Sequence, residues 1–304
     1  MTDASRLNYS TTTYRELAED LDVAAKWLES IGLSISPTRL GDYRRRLTSI
    51  VNALDAGELV ALFNEEGIKD TIDALYEASE WRLIHQMLAD TEDPGLHERL
   101  AAFVKGPIAY RDEKTGASSN RARNIGFELS LGAFLKKAGF PIEFHPDGDL
   151  RFHYHSHDWY VECKRPQSSG QVKRRVKEAL EQLVIRYAEA PDPDSARGLV
   201  AVSSTKIINP FGGHFQTQSR QTLRSDLTAE MEKFSKAHDA TWINHEDERT
   251  LGGLVEYRAF AIVLDENRPT TGGDVALVTR TPLSDANEEL LASFARQIQS
   301  GIFL

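Results

Sequence analysis

Asp149-Leu150-Arg151-Phe152-His153-Tyr154-His155-Ser156-His157-Asp158-Trp159-Tyr160-Val161-Glu162-Cys163-Lys164 carries two alternating runs around a polar centre. In a β-strand, side chains two apart share a face. Leu150, Phe152 and Tyr154 therefore make one apolar face, with Asp149, Arg151 and His153 opposite. In the second run Trp159, Val161 and Cys163 point toward a core, while Tyr160, Glu162 and Lys164 point the other way. The polar stretch His155-Ser156-His157-Asp158 joins the runs as an antiparallel hairpin. A turn of even length, residues 156–157 or 155–158, sets Asp149 against Lys164 and Arg151 against Glu162. Asp149 and Glu162 then lie diagonally on one face, about 7–8 Å apart at the backbone. An odd turn would put them on opposite faces.

A third acid comes from the segment before the hairpin. Residues 121–138 read as a helix ending at Gly139, with Phe127, Leu131, Phe134, Leu135 and Ala138 as its buried stripe. Glu128 lies at the edge of that stripe. Gly132, one turn later, removes bulk on the same side, so the Glu128 carboxylate can lean toward the strand that Asp149 opens. Oxygen ligands with no cysteine or histidine requirement suit Mg²⁺ or Mn²⁺ rather than zinc. Such an ion lowers the pKa of a bound water and offsets charge on a scissile phosphate. Lys164, held beside Glu162, would orient that water or stabilise a pentacovalent transition state.

The rest of the 304-residue chain sets bounds. It is long enough for one large domain or two small ones. Its 40% hydrophobic and 27% charged residues fit an ordinary globular protein. No apolar run reaches the roughly 18 residues of a membrane span. Met-Thr-Asp-Ala-Ser-Arg lacks the character of a secretory signal. A single cysteine, Cys163, excludes an intrachain disulfide and fits a reducing compartment, so the expected location is cytoplasmic. The net charge of −10 disfavours a polyanionic partner. Between Arg121 and Arg186, however, 12 Lys and Arg stand against 8 Asp and Glu, leaving +4 there and −14 elsewhere. That local balance is compatible with a phosphate-binding face.

Residues 12–105 read as a helical domain. Thr13-Tyr14-Arg15-Glu16 has capping-box spacing, followed by Leu17, Leu21, Ala24 and Leu28 on one face. Ser36-Pro37 marks a second helix start, with Leu40, Leu47, Val51 and Leu54 as its stripe. Further helical stretches cover about 57–66, 68–89 and 95–105, punctuated by Asp93-Pro94. Residues 106–120 read as a linker. From 121 onward the pattern is α/β: a short strand at 142–144, the hairpin, a helix over about 170–189 and a strand over 199–208. An extension over 209–304 adds a helix at 217–237, strands at 256–264 and 274–280, and a terminal helix at 284–299.

Phe127-Glu128, Pro146-Asp147-Gly148-Asp149 and Glu162-Cys163-Lys164-Arg165-Pro166 together resemble the PD-(D/E)xK nuclease superfamily. The resemblance covers about 121–208 and implies a restriction-endonuclease-like mixed β-sheet flanked by helices, here preceded by the helical domain. It implies Mg²⁺- or Mn²⁺-dependent cleavage of DNA, less often RNA, by a domain spanning 121–304. Asp149, Glu162 and Glu128 would hold the metal and Lys164 would be the catalytic lysine. The literal Pro-Asp is Pro146-Asp147, so Asp147 competes with Asp149, which directly precedes the apolar alternation. Gln182 and Tyr187 resemble a helix pair that some members use near DNA, at a spacing one residue longer. A restriction or host-defence role is the family-level expectation.

Bland readings stand beside these. Lys173, Arg174, Arg175 and Lys177 form the charged side of a helix whose stripe is Val172, Val176, Leu180, Leu183 and Tyr187. With Arg165 they are the candidate nucleic-acid contacts, or else a solvated face. Arg121 and Arg123 have the same two readings, and Arg44-Arg45-Arg46 reads as surface decoration. His153, His155 and His157 alternate like zinc ligands but lack an acidic or cysteine partner set. Cys163 should be an inert core residue. The helical domain could dock DNA, a partner protein or a second copy. Cutting both strands commonly needs two sites, which favours a homodimer. The competing class is a catalytically inactive nuclease-fold module that binds nucleic acid or a partner protein.

Overall fold

The hairpin is present, with its register moved by two residues. In the computed structural model β2 (Leu150–Tyr154) and β3 (His157–Lys164) pair antiparallel, Leu150 opposite Val161 and Tyr154 opposite His157. The turn is therefore His155-Ser156, centred one residue earlier than the expected positions. Both turn residues are left-handed (φ 48° and 61°), as a two-residue hairpin of the I′ type requires. A contact far along the chain favours this placement: Ser293 Oγ is hydrogen-bonded to Tyr154 Oη at 2.9 Å and His155 Nε2 at 3.0 Å. The even parity holds. Continuing the ladder by one residue, Asp149 opposes Glu162 directly, not Lys164.

The structure describes residues 10–11, 13–58, 65–107, 113, 120–145, 148–210, 212–243, 247–266, 268–280 and 282–302. The literal Pro146-Asp147, most of the expected linker and part of the helix expected over 57–66 lie outside them. Around the hairpin the chain is mixed α/β. A seven-stranded sheet adds β1 (Ser10–Thr11), β4 (Arg197–Ser203), β5 (Phe215–Thr217), β6 (Thr250–Val263) and β7 (Arg268–Thr279). The order is β1-β7-β6-β4-β3-β2, with β5 also pairing β6. β3, β4 and β6 run parallel, flanked by antiparallel pairs. The strand expected at 142–144 is reduced to one bridge, Glu143 with Arg151.

Helices cover both faces. The first face packs α1 (Tyr14–Ser30), α2 (Arg39–Ala56), α3 (Glu65–Leu88), α4 (Pro94–Phe103), α5 (Arg121–Lys137) and α10 (Asp285–Ile302) into one cluster. That cluster runs from Leu17 through Phe103 and Leu150 to Ile298, so the N-terminal helices share a core with the hairpin. At its centre Trp159 stacks on Phe294 (5.1 Å) and Phe152 (5.7 Å). The other face is closed by α6 (Val172–Glu189), whose Val176, Ala179, Leu183 and Tyr187 pack with Tyr160, Val200 and Val202. One-turn α7 (Thr205–Ile208), α8 (Arg220–Ala237) and α9 (Asp239–Ile243) complete the chain.

Local signals mostly hold. Thr13 and Glu16 form a reciprocal capping box, and Asp93 caps α4 with Pro94 at its first position. Two expectations need correction. α2 begins after Thr38, not at Ser36-Pro37, and its buried stripe includes Tyr43 and Ile50, whereas Leu54 is exposed. The strand expected over 199–208 stops at Ser203, because the backbone N–H and hydroxyl of Ser204 both donate to Glu256 O and α7 starts there.

α5 is buried nearly all round, and Gly132 lets it settle on the sheet. A Cβ there would meet Phe144 Cζ at 2.9 Å and Leu150 Cδ2 at 3.2 Å. On an open helix Gly→Ala stabilises by roughly 1 kcal/mol. Here overpacking, typically about 1–3 kcal/mol, opposes that gain. Gly132→Ala should therefore lower the melting temperature by a few degrees; an increase would show that α5 and the hairpin are not in tight contact.

Candidate active site

Asp149, Glu162 and Lys164 meet at the open end of the hairpin, and Glu128 lines the adjoining cleft. Asp149 stands immediately before β2, and its Oδ2 accepts a hydrogen bond from the Cys163 backbone N–H across the hairpin. Glu162, on β3, points toward the α6 side and is 2% exposed. Lys164 joins them: its Nζ lies 3.3 Å from Glu162 Oε2 and 3.8 Å from Asp149 Oδ2, and donates to Cys163 O at 3.1 Å. Glu128 approaches from α5. Glu128, Asp149 and Lys164 line a cleft of about 540 Å³ between α5 and α6, with Glu162 behind its wall.

Two arginines not singled out in the sequence hold this arrangement. Arg99, on α4, donates from Nε to Glu128 Oε2 at 3.0 Å. Its Nη2 donates to the carbonyls of His145 (2.9 Å), Gly148 (2.6 Å) and Asp149 (3.3 Å). One guanidinium thus fixes both the helix carboxylate and the loop that delivers Asp149. Arg186, on α6, places Nε 3.5 Å from Glu162 Oε1. Gly148 fits between them; a Cβ there would meet Arg186 Nε at 3.1 Å and Glu162 Oε1 at 3.5 Å. In the sequence Arg99 and Arg186 look like any helix arginine, because their partners lie 29 to 50 and 24 residues away.

The cations only partly balance the acids. Burial, then the charge of Asp149, pushes Glu128 up to about 7 despite Arg99 and Lys164. The same two causes push Glu162 up to about 7, opposed by Lys164 and Arg186. Burial also raises the Cys163 thiol well above its ordinary value, which keeps it protonated and makes it a poor nucleophile, as expected. Two carboxylates that resist ionising beside a third are a set that a divalent cation would stabilise. The donors are all oxygen, and Asp149 Oδ1 accepts no hydrogen bond from any described residue. In chemistry the set fits Mg²⁺ or Mn²⁺. Among the described residues, however, no three His, Cys, Asp or Glu side chains already stand together as a metal-binding group.

The candidate nucleic-acid contacts divide. Lys173, Arg174 and Lys177 are exposed, but Arg174 and Arg175 both pair with Glu178, and Lys177 lies 3.7 Å from Glu181. Only Arg175 and Arg165 of the five line the cleft. Arg165 corrects the expectation of a phosphate contact: both its terminal nitrogens donate to Glu113 Oε2 at 3.0 Å, deep in the protein. Glu113 also pairs with Arg123 at 2.9 Å, so Arg123 is likewise turned inward, whereas Arg121 is exposed. Tyr187 is buried, its hydroxyl hydrogen-bonded to Thr250 Oγ1, and only Gln182 of that pair reaches the cleft. His153, His155 and His157 go to separate partners, Asp158, Ser293 and the Ser195 carbonyl, and form no common site.

Comparison with protein-family models, with curated proteins and with solved structures finds no match for this chain.

The raised carboxylates predict a pH dependence. A group whose folded pKa lies above its unfolded value binds more protons when folded, so stability falls as pH rises between the two. For Glu128 and Glu162 that window runs from about 4.5 to about 7. Each of the two should cost metal-free protein on the order of 3 kcal/mol across it, and Mg²⁺ should restore much of the loss. Glu128→Gln should flatten the profile in thermal melts. Arg99→Met should cost about 3 kcal/mol, more at pH 8 than at pH 5. Glu128→Gln added to it should recover part of that cost; strict additivity of the two would break the pairing.

Proposed function

We propose that this chain is a metal-dependent nuclease with a restriction-endonuclease-like core, hydrolysing phosphodiester bonds of DNA as an endonuclease. The observation that carries the reading is Lys164, whose ammonium touches both Asp149 and Glu162 at the end of the cleft that Glu128 also lines. Carboxylates with no cysteine or histidine donor, plus one lysine, are the equipment of hydrolysis at phosphorus rather than of acyl transfer. A bound Mg²⁺ or Mn²⁺ would supply a water acidic enough to attack and would offset charge on the phosphate. Asp149, Glu162 and Glu128 would hold that ion. Lys164, placed by its bond to the Cys163 carbonyl, would orient the water and meet charge developing on the phosphoryl oxygens. Arg99 and Arg186 act through the carboxylates and position them.

Cutting both strands of a duplex would call for two copies, which makes a homodimer part of the proposal. A restriction or host-defence role, in a reducing cytoplasm that suits the lone Cys163, is the biological setting we propose. No helix among the described residues is long and apolar enough to cross a membrane.

A second reading has its own support. Both Glu162 oxygens already face cations, Lys164 at one and Arg186 at the other. That suits a nuclease-fold module that binds nucleic acid or a partner without cutting. Plasmid digestion with Mg²⁺ or Mn²⁺ separates the two. Wild type should nick or linearise the plasmid, while Lys164→Ala and Asp149→Ala should lose at least about 100-fold in rate. Metal binding with no cleavage of plasmid, single-stranded DNA or RNA favours the inactive module. Undiminished cleavage by both variants removes this site from the mechanism.

A further inference from the structure

Every acid of the site already faces a cation. Arg99 Nε donates to Glu128, Lys164 lies against Asp149 and Glu162, and Arg186 Nε stands 3.5 Å from Glu162 Oε1. The three cations are not equivalent. Arg99 donates to three backbone carbonyls and Lys164 to a fourth, which fixes both to the chain around them. Arg186 has a second carboxylate on its own helix: its Nη1 donates to Glu189 Oε2 at 2.9 Å.

Glu162 also differs from the other two acids. Glu128 and Asp149 line the cleft, whereas Glu162 is buried and does not. Its Oε2 faces Lys164, which lines the cleft, and its Oε1 faces Arg186 on the α6 side. Turning Glu162 toward Asp149 and Glu128 would part Oε1 from Arg186. Parting a buried ion pair ordinarily strands a charge. Here a divalent ion would take over Glu162, and Glu189 would keep Arg186. Gly148 leaves the pair room to part, since a Cβ there would press on both Arg186 Nε and Glu162 Oε1.

We propose that Arg186 is a latch on Glu162: it holds that carboxylate back from Asp149 and Glu128, and a divalent ion must displace it to gain its third oxygen ligand. Arg186 is then a positioning residue that lowers the affinity for free ion. The inference rests on these acids being metal ligands, not on cleavage.

Mn²⁺ binding without DNA, followed by titration calorimetry at pH 8, tests it. Arg186→Met should bind Mn²⁺ about tenfold more tightly than wild type, the scale of one hydrogen bond to a charged group. Arg175→Met makes the same change of charge on the cleft wall, but Arg175 pairs with Glu178, so affinity should move by less than about twofold. In Glu162→Gln protein the gain from Arg186→Met should also shrink below about twofold, because the carboxylate it acts through is gone. Glu189→Gln, an exposed change, removes the competing partner of Arg186 and should weaken Mn²⁺ binding about threefold.

Equal or weaker binding by Arg186→Met, an equal gain in Arg175→Met, or a gain that persists in Glu162→Gln overturns the latch and leaves the metal site standing. Should Arg186→Met fail to fold, unchanged affinity in Glu189→Gln overturns it alone. Absence of Mn²⁺ binding from wild type and variants alike overturns the latch and the metal site together. The expected pattern in a protein that cuts no DNA keeps the latch and removes the nuclease reading alone.

Discussion

Asp149 and Glu162 can meet because β2 and β3 pair in one register and no other. A slip of one residue would send the whole acidic face into the core and the apolar face to the opposite side. Two devices prevent it. The left-handed pair His155-Ser156 fixes the loop at two residues, and Ser293 holds that turn from the terminal helix. At the other end, the Asp149 carboxylate accepts from the Cys163 backbone, so the acid itself closes the ladder. The carboxylate we propose as a metal ligand is also part of the hairpin's hydrogen bonding.

Charge is handled along the same axis. Arg99, Lys164 and Arg186 each lean on one or more acids, from α4, β3 and α6 respectively. Below them a second, buried network runs from Arg39 through Glu77 and Arg123 to Glu113 and Arg165. Removing one member of such a buried set costs more than the set contributes, since the remaining charge is stranded. Glu113 is the junction: it ties Arg123, on the helix bearing Glu128, to Arg165, the residue after Lys164. The spacing of α5 and β3 thus depends on one carboxylate from the segment between the N-terminal helices and the sheet.

What could be read in the sequence was the local part. Strand alternation named the correct faces, since Leu150, Phe152, Trp159 and Val161 are all buried and Glu162 and Lys164 meet. The capping box and the Asp93-Pro94 start were legible because their partners lie within three residues. The turn was misplaced because its anchor, Ser293, is 138 residues from His155. Arg165 was misread for a related reason. A basic residue after a lysine looks like a phosphate contact until Glu113 is known to lie against it. Arg99 left no signal at all, its role being set wholly by tertiary contacts.

Arg99 has a consequence for how the chain can be divided. The loop that carries Asp149 is held by three carbonyl bonds to a helix some fifty residues upstream, and Asp93 of the same helix end accepts from the Phe144 backbone. The stretch 121–208 looks self-sufficient as a pattern of elements, yet its acidic loop borrows its shape from outside. Taken alone, that stretch would lose the α4 contacts that hold its acidic loop. The boundary of the unit that holds the candidate site, if drawn by what shapes it, falls before Asp93.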